Sequence, residues 1–224
     1  MSDGLPVSER PTSAAAGTKA LASLAAAFPW PAARPLALEV PERNQGWLRD
    51  GSRDALASAL SASTRVVVEL GAWLGLSTRF VLERARNATV ISVDHWQGSP
   101  EHHESEEWRR MLPALYETFL AMNWEHRARI VPVRRSTIEG LEAVAAHGVA
   151  PDVVYVDAGH EYESVLEDLE TSYRLFPEAE LVGDDFDWLG VRQALEKFRE
   201  RHGFEIVRFR TGWRLRAVGG ADER

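Results

Sequence analysis

Apolar residues fall into two rhythms along this chain. Five short runs are nearly continuous and rich in β-branched side chains: "RVVVEL" (65–70), "ATVISVD" (88–94), "ARIVPVR" (128–134), "PDVVYVD" (151–157) and "AELVGDD" (179–185). Strands buried on both faces of a parallel sheet have this character. Between them the spacing turns helical. "GWLRDGSRDALASALSAS" is anchored by Leu48, Leu56 and Leu60, and "SVLEDLETSYRLF" aligns Val165, Leu169, Tyr173 and Phe176. "GVRQALEKFRERHG" aligns Val191, Leu195 and Phe198 before Gly203, a residue suited to closing a helix. The ending "FEIVRFRTGWRLRAV" reads as two strands around a Thr-Gly turn.

This order predicts an α/β fold. It is a Rossmann-like, doubly wound seven-stranded sheet, mostly parallel with a C-terminal antiparallel hairpin and helices on both faces. Residues 1–45 are rich in Ala, Pro and Ser, and are expected to form a partly disordered segment with a short helix near Lys19–Phe28. One catalytic domain is expected over 46–218, followed by a disordered tail at 219–224.

Composition narrows the partners. The chain has 224 residues, 45% hydrophobic, and no apolar run of membrane-spanning length. The Ala-rich "TKALASLAAAF" follows a polar, acid-containing start without a clean cleavage site, so export is not expected. The absence of cysteine excludes disulfides, thiolate zinc sites and cysteine nucleophiles, and fits a cytoplasmic protein. A net charge of −8 speaks against a nucleic-acid partner. Lys19 and Lys197 are the only lysines, which leaves few candidates for a lysine base.

In a doubly wound sheet, ligands bind beyond the carboxyl ends of the strands. The first strand ends at Glu69 and runs into "ELGAWLGLST", where Gly71 and Gly75 are expected to let the backbone approach a ligand. Ser77 and Thr78 then open a helix whose free N–H groups favour an anion. A dinucleotide turn needs glycine two residues after Gly71, and Trp73 stands there, which disfavours pyrophosphate. Asp94 ends the second strand, 23 residues after Gly71, where a carboxylate can accept both ribose hydroxyls. Ser136 follows the third strand at the same rim, where it can meet a ligand, although a helix N-cap explains it equally well. Trp96 either packs on a ligand's ring or fills a loop.

Asp157 ends the fourth strand, His160 follows on its loop, and Asp184 and Asp185 end the fifth. Neighbouring parallel strands bring these groups to one rim, where crowded carboxylates need a proton or a cation. Oxygen ligands of this kind suit Mg²⁺ or Mn²⁺. Asp187, Glu161, Glu163 and Asp168 read as helix caps or solvated loop acids, and His102 and His103 as solvated loop residues.

The turn E-x-G-x-x-x-G resembles the first motif of class I S-adenosylmethionine-dependent methyltransferases. "YVDAGHEYESVLEDLE" followed by "LVGDDFDW" resembles the D-x-x-H-x-Y…DD pattern of metal-dependent small-molecule O-methyltransferases, the macrolide-sugar enzymes among them. The resemblance covers about Val66 to Phe198. It implies S-adenosyl-L-methionine held by Glu69, Gly71, Ala72, Gly75, Ser77, Thr78, Asp94, His95, Ser136 and Asp157. It further implies Asp157, Asp184 and Asp185 as metal ligands and His160 as general base, with Asp157 and His160 the catalytic pair. Trp96, His160, Tyr162, Trp108 and Met111 are the expected contacts to a small hydroxylated substrate from a natural-product, sugar or phenol class. The long segment after the second strand is expected to be a substrate lid, and the apolar N-terminus to serve as an arm of a homo-oligomer. Three other readings stay open at this point: a metal-independent N- or C-methyltransferase, a nicotinamide-dependent oxidoreductase, and a non-catalytic cofactor-binding protein.

Overall fold

The computed structural model describes residues 13–218. The expectations for the first residues and for the tail 219–224 lie outside them. The sheet has seven strands: β1 (Val66–Leu70), β2 (Thr89–Asp94), β3 (Ile130–Arg134), β4 (Val153–Val156), β5 (Glu180–Gly183), β6 (Phe204–Phe209) and β7 (Gly212–Ala217). Their order is β3-β2-β1-β4-β5-β7-β6, and the five apolar runs are its parallel strands. The first five are parallel, while β7 runs antiparallel to both β5 and β6. The topology reverses between β1 and β4, so the crevice that binds ligands in such folds opens over those two strands.

Period-two alternation divides the core. Val66, Val68 and Leu70 of β1 face one apolar cluster, filled by α1 (Ser13–Ala27), α7 (Thr137–Ala146), α8 (Tyr162–Leu175) and α9 (Leu189–His202). Val67 faces the other, with Leu56 of α2 (Asp50–Ala59), Phe80 of α3 (Leu76–Arg84) and Phe119 of α6 (Leu115–Met122). Both sides of the sheet are therefore covered, and this is why the strands read as unbroken apolar runs.

Four details differ from the sequence expectation. The N-terminal helix spans Ser13–Ala27 rather than beginning near Lys19, and it buries Leu24 in the core. The irregular chain after it is tied down, because Trp30 Nε1 donates to the Ile130 carbonyl on the edge strand (2.8 Å) and Arg34 Nε to the Ala121 carbonyl (3.0 Å). The segment after β2 is built of short helices, α4 (Pro100–Glu104), α5 (Glu106–Arg109) and then α6. In the final hairpin the loop is Arg210–Thr211, with Gly212 already paired to Phe209. Among the described residues no helix is long and apolar enough to cross a membrane.

Candidate active site

A cleft of about 610 Å³ opens at the carboxyl ends of β1, β2, β4 and β5. Ala72, Ser77, Asp94, His95, Ser136, Asp157, His160, Asp184 and Asp185 all line it. Its size lies in the range of small-molecule and cofactor sites.

The glycine turn forms one wall, and its glycines are required by packing. Gly71 adopts a left-handed φ of 87°, and a Cβ there would meet the Asp157 carbonyl oxygen at 2.1 Å. The close approach it permits is between the ends of β1 and β4, with the cleft beside them. Gly75 (φ 80°) is off the cleft wall altogether, and its Cβ would strike the Asn123 amide at 2.5 Å. Sequence reasoning missed Asn123. Fully buried, it donates to the Leu74 (3.2 Å) and Phe119 (2.7 Å) carbonyls and accepts from Arg79 (2.9 Å), bracing the turn. Trp73, at a left-handed φ of 47°, stacks on His102 with ring centroids 4.4 Å apart.

Glu69 and Thr78 stand behind this wall rather than on it. The Glu69 carboxylate is fully buried and accepts from Thr78 Oγ1 and Ser92 Oγ, while its Oε1 has no hydrogen-bond partner. Burial pushes its pKa up, against the hydroxyl hydrogen bonds that favour the ionised form.

Asp94 lines the cleft, but backbone donors already engage it. Oδ2 accepts from the N–H groups of Ala72 (3.0 Å) and Trp73 (2.9 Å), and Oδ1 accepts from Trp96 N–H (2.6 Å). The carboxylate thus clamps the β1 turn to the β2 loop. Each oxygen carries two lone pairs, so Oδ1 retains capacity for a ligand donor. Ser136 is both a lining residue and the N-cap of α7, in a capping box with Glu139.

The acidic rim is dense. Ligand atoms of Asp157, Asp184 and Asp185 lie within 4.8 Å of one another. Tyr155, fully buried, donates its hydroxyl to Asp157 Oδ2 (3.0 Å), and Ser52 of α2 donates to Asp184 Oδ2. Asp184 Oδ1 is buried and accepts no hydrogen bond; its ion-pair partner is Arg49 Nη2 at 3.5 Å. The same Nη2 lies 2.5 Å from Asp185 Oδ1, and Arg49 Nη1 lies 3.1 Å from Asp187 Oδ2. Burial, then repulsion from Asp184 and Asp185, holds the Asp157 carboxyl well above the usual range. His160 Nε2 sits 2.8 Å from Asp185 Oδ2, and its ring stacks on Trp188 at 4.4 Å. Asp185 itself holds a left-handed φ of 60°, an uncommon setting for a non-glycine residue that aims its carboxylate at both His160 and Arg49.

This donor set fits a hard divalent ion. It offers three carboxylates, one buried oxygen without a hydrogen bond, and room on the cleft side for solvent or substrate oxygens.

Several expected substrate contacts point elsewhere. Trp96 is buried against Tyr116 and Phe119, with its indole N–H given to the Trp73 carbonyl (2.8 Å), so it fills the interior of the loop. Met111 is buried in the same core cluster, and Tyr162 packs on the core of the opposite face. Trp108 does not line the cleft, but its ring meets Trp47, Trp73 and His102 in an aromatic group at the mouth. His102 is therefore part of a packed aromatic group rather than solvated. Asp168 is likewise no solvated acid: only 2% exposed, it lines the cleft, and burial pushes its pKa up to about 7, against a hydrogen bond from Thr137. Asp187, by contrast, is exposed as expected and pairs with Arg49.

Comparison with known proteins then identifies the fold family. A family model described as a methyltransferase domain matches residues 68–186, more than half of the chain. A search of curated proteins finds no match. Among solved structures, CalS11, a calicheamicin methyltransferase, is similar at a TM-score of 0.51 and 15% identity, covering 98% of this chain and 99% of that one. Its apo form, described as TDP-rhamnose 3'-O-methyltransferase, gives 0.50 and 15%, with 94% and 96% covered. A Staphylococcus aureus protein assigned as a caffeoyl-CoA O-methyltransferase gives 0.51 and 11%, with 81% and 86% covered. At these identities the structures speak for the shared fold. The family match spans β1 to the end of β5, the strands whose carboxyl ends build the cleft, and the chain belongs to the methyltransferase-domain family as a class I S-adenosylmethionine-dependent methyltransferase.

Proposed function

We propose that this methyltransferase acts on a hydroxyl group of a small molecule, with His160 as general base and a divalent ion at Asp157, Asp184 and Asp185. The observation that carries the reading is the 2.8 Å pairing of His160 Nε2 with Asp185 at the edge of the carboxylate cluster, inside the cleft that the glycine turn also lines.

The cofactor's sulfonium supplies an electrophilic methyl group. Ala72, Ser77 and the spare lone pair of Asp94 line the wall for its amino-acid and ribose portions, and Ser136 stands where the adenine would lie. Asp157 lies between the turn and the rim, touching both halves of the site. A Mg²⁺ or Mn²⁺ ion at the three carboxylates would lower the pKa of a hydroxyl brought against it. His160 takes the proton released from that hydroxyl, and Asp185 holds the ring in place and stabilises the imidazolium that forms. Trp188 fixes the plane of the imidazole by stacking. Trp47 and Trp188, each partly exposed beside the cleft, offer apolar faces to the acceptor.

The test is a screen of sugars, phenols and hydroxylated acids with S-adenosylmethionine labelled in its methyl group, run with and without EDTA. Label recovered as a methyl ether and lost in EDTA supports the reading. Label on nitrogen or carbon overturns the hydroxyl assignment. Activity that survives the chelator overturns the metal assignment, and Arg49 would then be the permanent counter-charge of the cluster.

A further inference from the structure

The carboxylate cluster already contains a cation of its own. Arg49 Nη2 stands between two of the three acids, 2.5 Å from Asp185 Oδ1 and 3.5 Å from Asp184 Oδ1. We propose that Arg49 is a tethered counter-ion that competes with a divalent metal for Asp184 and Asp185, and so sets how tightly the cluster takes the metal. The inference rests on the reading that the cluster binds such an ion.

Three features argue for competition rather than a permanent ion pair. The guanidinium leaves the pair incomplete: Asp184 Oδ1 is buried and receives no hydrogen bond, although a carboxylate oxygen in that position is costly unless it is compensated. Its 3.5 Å separation from Nη2 is an electrostatic contact without a hydrogen bond. Second, the backbone of Arg49 is fixed while its side chain reaches toward solvent. Arg49 immediately precedes α2, whose Gly51 packs so closely that a Cβ would lie 2.2 Å from the Phe209 carbonyl oxygen, and whose Ser52 bonds Asp184. The Arg49 side chain, by contrast, is 41% exposed. Third, an alternative seat is already in reach. Nη1 lies 3.1 Å from Asp187 Oδ2, outside the cluster on the solvent side, so a displaced guanidinium keeps one ion pair. A compact divalent ion at the cluster and a guanidinium at the same oxygens would repel each other and could not share them.

The test uses Mn²⁺ as the probe, with free ion followed by electron paramagnetic resonance in titrations of wild type, Arg49→Gln and Arg49→Lys. Arg49→Gln is expected to bind Mn²⁺ about tenfold more tightly or better, since a unit positive charge has left the ion's neighbourhood. Arg49→Lys, which keeps the charge, is expected to stay near wild type. Equal or weaker binding by Arg49→Gln overturns the competition while leaving the metal site standing. No binding by any of the three overturns both the competition and the metal assignment. A measurement on the unaltered protein guards against a variant that folds poorly. In arginine side-chain ¹⁵N spectra, the Arg49 signal, assigned by its absence from Arg49→Lys, is expected to shift with Mg²⁺ at the same midpoint as binding. A signal that does not move while Mg²⁺ binds overturns the proposal.

Discussion

Gly71 and Asp157 meet through a missing side chain: an ideal Cβ on residue 71 would stand 2.1 Å from the Asp157 carbonyl oxygen. The turn that lines the cleft and the strand end that begins the acidic rim are therefore one packed unit. Gly71→Ala should cost about 3 kcal/mol, combining the left-handed backbone with overpacking against a carbonyl. Gly148, also at positive φ but with open space where its Cβ would go, provides the comparison. Gly148→Ala should cost only about 1 kcal/mol. Equal losses in urea denaturation would remove the packing explanation.

Asp94 serves the turn before it serves any ligand. Replacing it with Asn puts an N–H donor where one carboxylate oxygen now accepts from backbone, either beside Trp96 N–H or beside the Ala72 and Trp73 N–H pair. The expected stability loss is about 1–3 kcal/mol, accompanied by weaker binding of S-adenosylhomocysteine in calorimetry. A variant as stable as wild type that still lost the ligand would mean the carboxylate matters for the cofactor alone.

His160 offers a kinetic split. With an acceptor that turns over, His160→Gln should lower kcat by about a hundredfold or more, the usual scale for a lost general base. Binding of S-adenosylhomocysteine should change little, because the glycine turn and Asp94 lie on the other wall. A drop confined to KM would assign His160 to substrate binding instead.

Asp168 should make the protein less stable at alkaline pH. Its carboxyl is pushed from 3.8 up to about 7 in the fold, so between those values the folded state holds a proton that the unfolded chain has lost. Stability from this group is full below about pH 4 and declines as pH rises through about 7, by no more than about 4 kcal/mol. Asp168→Asn has no such proton to lose, and its melting temperature relative to wild type should rise from pH 5 to pH 8. A constant difference across that range would show that Asp168 does not titrate with folding.

The sheet was legible in the chain, because every strand in its parallel part is covered on both faces and so is largely apolar along its length. The sequence also located Asp94, Asp157, Asp184 and Asp185 at strand ends, since a doubly wound sheet delivers the carboxyl ends of parallel strands to one rim. Tertiary structure alone decided what touches those acids. Arg49 reaches Asp185 across 136 residues of chain and Ser52 reaches Asp184 across 132, and no local spacing encodes contacts of that span. The glycines were legible as residues that need a free Cβ position, but the atoms that need the space, the Asp157 carbonyl and the Asn123 amide, belong to distant segments. Trp96, Met111 and Asp168 show the same limit. An aromatic or acidic residue on a loop or helix can face a cleft, solvent or core, and only the packing of the neighbouring elements decides which.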